Sequence, residues 1–248
     1  MALILYEEPV LVAVAAGLFT MGEGEEKQTL YLPDFQIGKY PVTNREYAAF
    51  VQDGHGAPHH WKGGVCPSEL ANHPVVYVSW DDAVAYCRWL AEKTGRPYRL
   101  PTEAEWEKAA SWDEKSKKAR VYPWGDAFAK GRCNCAQGGN GTTTRVGAYS
   151  PAGDSPYGCA DMAGNVWEWC ATAWRGRYQP DADNDASTDA GRVVRGGAFL
   201  NYQRRVRCAH RYRRYPDSRY GVIGFRVAAS PVIHDSGLWR SGICTARG

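Results

Sequence analysis

Arginine and tyrosine are concentrated in one stretch of this chain, residues 195–226. The stretch reads RGGAFLNYQRRVRCAHRYRRYPDSRYGVIGFR; Asp217 is its only acidic residue, and it contains no Lys, Glu, Met or Trp. Arg and Tyr dominate binding hot spots, because Arg makes paired hydrogen bonds and Tyr offers broad amphipathic contact. The composition therefore favours a binding surface. The alternative is a solvated basic loop with a few structural tyrosines.

The two ends of this stretch differ in kind from its middle. Residues 195–197 (RGG) predict a tight turn and residues 223–226 (IGFR) a short buried strand, because glycine permits close approach of the backbone. Between them the Arg and Tyr residues follow neither the helical nor the strand period, which predicts a surface held on a rigid frame.

A pair of carboxylates is the second feature that suggests chemistry. Asp161 and Glu168 bound the sequence DMAGNVWE, with a glycine turn between them. Calcium needs several oxygen ligands at once, from carboxylates and from carbonyls that a turn aims together. The pattern favours calcium; the alternative is two carboxylates satisfied by backbone amides and a nearby Arg.

The eight cysteines, at positions 66, 87, 133, 135, 159, 170, 208 and 244, form no zinc signature. None makes a CxxC pair, and Cys133 and Cys135 are separated by one residue, too close for a standard zinc knuckle. The N-terminus has no basic n-region, carries Glu7 and Glu8, and is broken by Pro9, which argues against a signal peptide. We therefore expect a cytoplasmic protein with reduced thiols and no membrane insertion.

Composition and local signals predict a loop-rich α+β fold with short antiparallel strands and about three helices. The 248 residues include 27 Gly, 14 Pro and 10 Trp, and the net charge is only +3, so the basic character is local to one segment. Short strands are expected between residues 9 and 40, and at 146–149, 166–169 and 193–195. Capping boxes predict three helix starts, at Thr43 with Glu46, Ser79 with Asp82, and Thr102 with Glu105.

Six short motifs follow one another along the chain. They are GKYPVTN (38–44), RLPTEAEWE (99–107), YPWG (122–125), GNVWEW (164–169), RGG (195–197) and GFR (224–226). Across roughly residues 9–229 the sequence resembles the formylglycine-generating enzyme (sulfatase-modifying factor) family. The resemblance implies a variant of the C-type lectin fold, in a single domain at 1–229 followed by an extension of unknown structure at 230–248.

The enzymes of that family oxidise a substrate cysteine with a pair of active-site cysteines that bind copper. The corresponding stretch here, residues 198–206, holds Asn201 and Gln203 near those places and no cysteine, and an amide replaces neither the thiolate ligand nor the redox group. Cys208 matches a structural position of the family. We therefore expect no copper and no formylglycine generation; an oxidase that uses a relocated cysteine, with Cys208 the nearest thiol, is the alternative.

The 198–222 segment is more similar to that of variable proteins of diversity-generating retroelements, some of which share this fold. In those proteins adenines are randomised upstream of an IGFR-like boundary, which residues 223–226 match. A randomised AAC codon never encodes Lys, Glu, Gln, Met or Trp, and Gln203 is the one residue of the segment that breaks this rule. The resemblance implies these variable, ligand-binding positions: Leu200, Asn201, Tyr202, Arg204, His210, Tyr212, Arg213, Arg214, Tyr215, Ser218, Tyr220, Gly221 and Val222.

The residues between these positions are predicted to hold the backbone whatever the variable positions carry. This frame comprises Gly196, Gly197, Arg207, Arg211, Pro216, Arg219, Gly224 and Arg226. The family also has a structural calcium, which implies side-chain ligands from Asp161 and Glu168 and carbonyl ligands from Gly164 and Val166.

The sequence thus predicts a non-enzymatic ligand-binding protein. With many cations and one acid in the segment, its partner is expected to be an acidic protein or another acidic macromolecule. Single-stranded nucleic acid on the Tyr/Arg surface is a less favoured possibility, which would give steep salt dependence.

Overall fold

The computed structural model describes residues 6–178, 184 and 190–230. The C-terminal extension from 231, Cys244 and most of the acidic 178–190 segment lie outside the described residues. Within these residues the three α-helices are α1 (Asn44–Gln52), α2 (Trp80–Thr94) and α3 (Glu103–Ser111). The strands are β1 (Leu11–Val14), β2 (Gly17–Met21), β3 (Gln28–Leu32), β4 (Phe35–Gly38), β5 (Tyr98–Arg99), β6 (Trp112–Asp113), β7 (Lys118–Ala119), β8 (Trp167–Ala173), β9 (Arg192–Arg195), β10 (Arg211–Arg214), β11 (Ile223–Gly224) and β12 (Ala228–Ala229).

All three predicted capping boxes are present. At each helix start a Ser or Thr side chain accepts the N3 amide while the N3 carboxylate accepts the N-cap amide, so two donors without helical partners are satisfied. Helix α2 ends at Gly95, whose φ of 71° gives the left-handed cap that its sequence predicts. Local side-chain chemistry therefore sets where each helix begins.

Two four-stranded sheets form the scaffold. One has the order β1-β4-β12-β5 and the other β10-β9-β8-β11, with two separate hairpins, β2-β3 and β6-β7. Pairing is antiparallel except between β11 and β8, which run parallel. In the second sheet one row aligns Arg211, Arg195, Glu168 and Gly224 across all four strands. This row connects the edge strand β10 to the buried centre of the molecule.

Two secondary-structure predictions were wrong. Residues 146–149 form turns rather than a strand, because the amide of Val146 donates to the Asn72 carbonyl and that of Gly147 to the Asp161 carboxylate. Strand β10 lies inside the segment that was expected to be irregular. It is the edge strand of its sheet, so its side chains are largely exposed and show no burial period.

The main core packs α1 and α2 against the second sheet. Aromatic rings of Tyr47, Phe50, Tyr86 and Phe225 meet there in edge-to-face and stacked pairs. Among the described residues, no helix is both long and apolar enough to span a membrane.

Candidate ligand-binding surface

The surface begins at the turn after β9, and this turn requires glycine at two successive positions. Gly197 has a φ of 74°, and a Cβ there would lie 2.7 Å from the Arg205 carbonyl oxygen and 2.7 Å from Val206 Cγ1. Gly196 has a φ of 92°, and a Cβ there would lie 3.2 Å from the Trp106 ring. Both glycines therefore allow the 198–222 segment to leave the sheet directly over the core.

Four arginines of the predicted frame each bind a carboxylate from a distant part of the chain. The pairs are Arg207 with Glu23, Arg211 with Glu103, Arg219 with Asp82, and Arg226 with Glu168. Their exposure ranges from an Arg219 side chain that is 47% exposed to an Arg226 side chain that is completely buried. These ion pairs attach the segment to α2, α3, β8 and the loop after β2.

The turn at 215–220 is fixed at three points on the N-terminal side of α2. The amide of Trp80 donates to the Pro216 carbonyl at 2.9 Å, and the amide of Tyr77 donates to the Tyr220 carbonyl at 3.1 Å. The Arg219 ion pair provides the third point. Ser218 closes the turn by donating its amide to the Tyr215 carbonyl at 3.0 Å.

An aromatic and cationic ladder lies on one side of the surface. The Arg214 guanidinium stacks over the rings of Tyr212 at 4.4 Å and Tyr220 at 5.4 Å. Tyr212 and His210 both contact the ring of Trp167 beneath them, with centroids 5.8 Å apart in each case. Tyr212 and Tyr220 remain 39% and 50% exposed. Trp167 therefore packs against one side of this group, and the other side is exposed to solvent.

Four other arginines are available for a ligand. Within the part of the chain that the structure describes, no carboxylate lies within ion-pair distance of Arg204, Arg205, Arg213 or Arg214. A hydrogen bond from Arg214 lowers the pKa of Tyr212, and the charge of Arg205 acts in the same direction. The unpaired cations therefore produce a local positive field at the exposed phenol.

The predicted positions do not all share one face. Successive side chains of β10 point to opposite sides of the sheet, so Arg213 faces away from Tyr212 and Arg214. Arg213 stacks on Tyr215 at 5.6 Å and passes over Gly191. Arg213 and Tyr215 therefore form a second patch around the sheet edge.

The loop at 200–205 carries a third group of exposed side chains, Leu200, Tyr202 and Arg204. Its backbone is held by the loop that follows Cys135. The amide of Ala136 donates to the Asn201 carbonyl at 3.0 Å, and the amide of Gln203 donates to Gln137 Oε1 at 2.6 Å.

Asn201, Gly221 and Val222 are half-buried predicted positions that support the backbone. Asn201 Oδ1 accepts the Ala198 amide at 2.9 Å. A Cβ on Gly221 would lie 2.6 Å from the Tyr77 hydroxyl, so any other residue there must displace that ring. Val222 packs against the main core, and its carbonyl accepts the Trp167 amide at 2.8 Å.

Several residues that form or support the surface were not predicted from the sequence. Arg205 is exposed beside the predicted Arg204 but was named in neither the variable set nor the frame. Three supporting residues are distant in sequence from the residues they contact. Trp167 lies 43 residues before His210, Gln137 lies 66 before Gln203, and Tyr77 lies 143 before Tyr220. No local sequence signal indicates such contacts, because they arise only from the tertiary fold.

Glu168, a predicted calcium ligand, is fully buried and already engaged. Its Oε2 accepts Arg226 Nε at 2.6 Å and Trp106 Nε1 at 2.7 Å, and its Oε1 accepts Arg226 Nη2 at 2.7 Å. These contacts fit the alternative of a carboxylate satisfied by a nearby Arg. A calcium ion at Glu168 would have to share this carboxylate with the guanidinium.

The other predicted calcium ligands lie in the adjoining turns. Asp161 accepts the Gly147 amide at 2.7 Å, and burial, with the nearby charges of Glu168 and Asp154, raises its pKa to about 6. Gly164 adopts a φ of 77°, and Val166 is fully buried. No cluster of three or more His, Cys, Asp or Glu side chains suited to a metal occurs among the described residues. Calcium at Asp161, Gly164, Val166 and Glu168 stays a prediction.

Cys208, the thiol considered for an oxidase, is buried in the core. Its Sγ contacts the Ala110 carbonyl oxygen at 3.6 Å, and burial raises the pKa of the thiol. A neutral, enclosed thiol is a poor nucleophile and a poor metal ligand.

The fold and this surface together define a class: a loop-rich α+β scaffold of the C-type lectin kind, on which a fixed frame holds exposed Arg and Tyr side chains. The chain belongs to the sulfatase-modifying factor enzyme 1-like domain family, whose model matches residues 5–231. It is 34% identical to the formylglycine-generating enzyme of Thermomonospora curvata over 296 aligned positions, which cover 90% of this chain and 94% of that protein. It is 31% identical to mouse inactive C-alpha-formylglycine-generating enzyme 2, covering 90% and 87%.

Solved structures agree on the fold. Variable protein 1 of Treponema denticola superposes with a TM-score of 0.74 at 24% identity, covering 89% of this chain and 95% of that one. PvdO from Pseudomonas aeruginosa superposes with a TM-score of 0.73 at 26% identity, covering 90% and 95%.

Proposed function

We propose that this protein is a non-enzymatic ligand-binding member of its family, whose 198–222 segment is varied by a diversity-generating retroelement. The observation that carries the proposal is the division of the arginines. Those of the frame are paired with distant carboxylates, whereas Arg204, Arg205, Arg213 and Arg214 have no carboxylate partner among the described residues. Such a division suits a surface whose contacts are exchangeable on a backbone held elsewhere.

The exposed residues have the composition of a paratope. Tyr provides large contact area at small entropic cost, and Arg adds paired hydrogen bonds and stacking. Because the unpaired cations outnumber the single acid of the segment, we expect an acidic protein or another acidic macromolecule as the partner. The relative named as inactive supports the idea that this family includes members without the oxidase activity.

Charge reversal tests whether this surface binds acidic partners. Poly-L-glutamate is the probe, and binding is measured by biolayer interferometry at several salt concentrations. We expect R213E/R214E to weaken binding at least tenfold, because two attractive contacts become repulsive. R88E/K115E is the matched control, since Arg88 on α2 and Lys115 are both exposed and the variant reverses the same number of charges, and it should change binding little. Equal loss in both variants would show nonspecific charge attraction and contradict the surface assignment.

The coding DNA tests diversification directly. A nearby near-copy of the segment that differs only at adenines, beside a reverse transcriptase gene, is the expected result. A locus without such a copy would refute this part of the proposal while leaving ligand binding open to the charge-reversal test.

A formylglycine-generating-type oxidase, or another metal-dependent oxidoreductase on this fold, is the second candidate. Its support is the 34% identity to a formylglycine-generating enzyme over most of both chains. Against it stand the absence of cysteine from residues 198–206, where Asn201 and Gln203 lie near the places of the paired cysteines, and the buried thiol of Cys208. Oxygen consumption with a cysteine-containing peptide and added Cu(I) distinguishes the two: turnover would establish the oxidase and refute the non-enzymatic assignment.

A further inference from the structure

Cys133 and Cys135 lie together directly before the loop that supports residues 200–205. Both side chains are almost fully buried, and they pack in one small apolar cluster with Tyr122, Ala163 and Val206. Residue 136 is exposed, so Cys135 is the last buried residue before a Gly-rich surface loop. A local displacement of that loop would bring its sulfur to solvent.

The two thiols are two residues apart in the sequence and lie in the same buried cluster, so each affects the ionisation of the other. Hydrogen bonding from the Cys133 thiol lowers the pKa of Cys135 to about 6 against the effect of burial, and the Gln137 amide contributes. The same interaction raises the pKa of Cys133, so Cys135 is the more acidic thiol of the pair. Every other cysteine of the described chain has a raised pKa, those at 66, 87, 159, 170 and 208.

The loop after Cys135 is bonded to the candidate binding surface. The Ala136 amide donates to the Asn201 carbonyl, and Gln137 Oε1 accepts the Gln203 amide. The Cys135 carbonyl in turn accepts the amides of residues 138 and 139, at 3.2 and 2.7 Å. A change of geometry at Cys135 is therefore transmitted to the backbone at 201–203 through two hydrogen bonds.

We propose that Cys133 and Cys135 form a modification site, a dithiol that closes to an intraloop disulfide by exchange with a low-molecular-weight disulfide. The Cys135 thiolate attacks one sulfur of the reagent disulfide, whose S–S bond breaks and releases one thiolate. Cys133, deprotonated by that leaving thiolate, then attacks the Cys135 sulfur and releases a second thiolate, which takes from water the proton that Cys135 lost on ionising. One reagent disulfide is reduced to two thiols, which carry away both cysteine protons, and the protein gains one S–S bond.

Peptide mapping of the full chain tests the chemistry. The protein is treated with oxidised glutathione, remaining thiols are blocked with N-ethylmaleimide under denaturing conditions, and trypsin releases residues 133–145 as one peptide. We expect this peptide to have lost two hydrogens and to carry neither glutathione nor maleimide. Cys66→Ser, which removes the more exposed thiol, should leave the result unchanged, whereas Cys135→Ser should abolish it. Glutathione on Cys66 with maleimide on both Cys133 and Cys135 would overturn the assignment.

Hydrogen exchange then tests the connection to the surface. Oxidation should change the exchange rates of the Ala136 and Gln203 amides in the wild type and in Cys66→Ser, and not in Cys135→Ser. A disulfide that forms without changing these rates would refute the transmission to residues 201–203. Neither readout requires a ligand, so failure here is distinguishable from failure of the proposed binding function.

Discussion

The substitution Glu168→Gln tests the buried ion pair at the centre of the scaffold. Glu168 and Arg226 are both completely buried, and two bonds of 2.6 and 2.7 Å join them. Glutamine keeps the shape and one acceptor oxygen but leaves the Arg226 charge without a counterion. Removing one partner of a buried pair costs about 3–5 kcal/mol. For a chain of this size that corresponds to a fall in Tm of roughly 6–20 °C.

Thermal unfolding by circular dichroism measures this effect, with Glu8→Gln as the control. Glu8 pairs with Arg96 at the surface, with side chains 43% and 31% exposed, so its loss should cost less than about 1 kcal/mol. If Glu168→Gln melts within error of Glu8→Gln, the ion pair does not hold the scaffold together. The same scans test calcium: if Glu168 is a ligand, EDTA lowers the Tm of the wild type and leaves that of Glu168→Gln unchanged. An EDTA-insensitive wild type would refute the calcium prediction.

Three further substitutions examine the frame and the surface by chemical denaturation. A double-mutant cycle of Arg219→Ala and Asp82→Ala should give a coupling of about 0.2–1 kcal/mol, because the pair is partly exposed; no coupling would mean that this contact does not hold the 215–220 turn. Gly197→Ala should cost more than about 1 kcal/mol because its φ is 74°, whereas Gly56→Ala, where no atom lies near, should cost less; equal costs would contradict the steric argument. Burial, and to a smaller extent the charges of nearby arginines, lowers the pKa of His210 from 6.5 to about 4. The stability that the neutral His210 ring contributes is therefore complete above pH 6.5 and is lost as pH falls toward 4. His210→Asn should lose less stability over that range, and parallel pH curves would refute this assignment.

The helices and the outline of the fold were predictable from sequence because their signals are local. Each capping box uses two residues three positions apart, and each was confirmed. Strand β10 was not predictable, because an edge strand buries neither face completely and its alternation is hidden among exposed residues. The turns at 146–149 failed for the converse reason: an apolar string resembled a strand, but its amides donate to Asn72 and Asp161 rather than to a neighbouring strand.

Composition alone does not distinguish the roles of individual arginines; the family resemblance did, by placing Arg211 in the frame and Arg213 among the variable positions. Composition treats Arg211 and Arg213 alike, although they are two residues apart and on the same side of β10. Arg211 pairs with Glu103, a residue 108 positions earlier in the sequence, whereas no carboxylate of the described chain is within reach of Arg213. An arginine that is already neutralised by a distant acid stabilises the backbone and contributes little charge to a ligand. An arginine without such an acid leaves its charge and hydrogen-bond donors for a partner, and its replacement leaves the backbone contacts intact. The capacity to exchange surface residues without unfolding therefore depends on acids outside the segment, and sequence variation within the segment does not alter them.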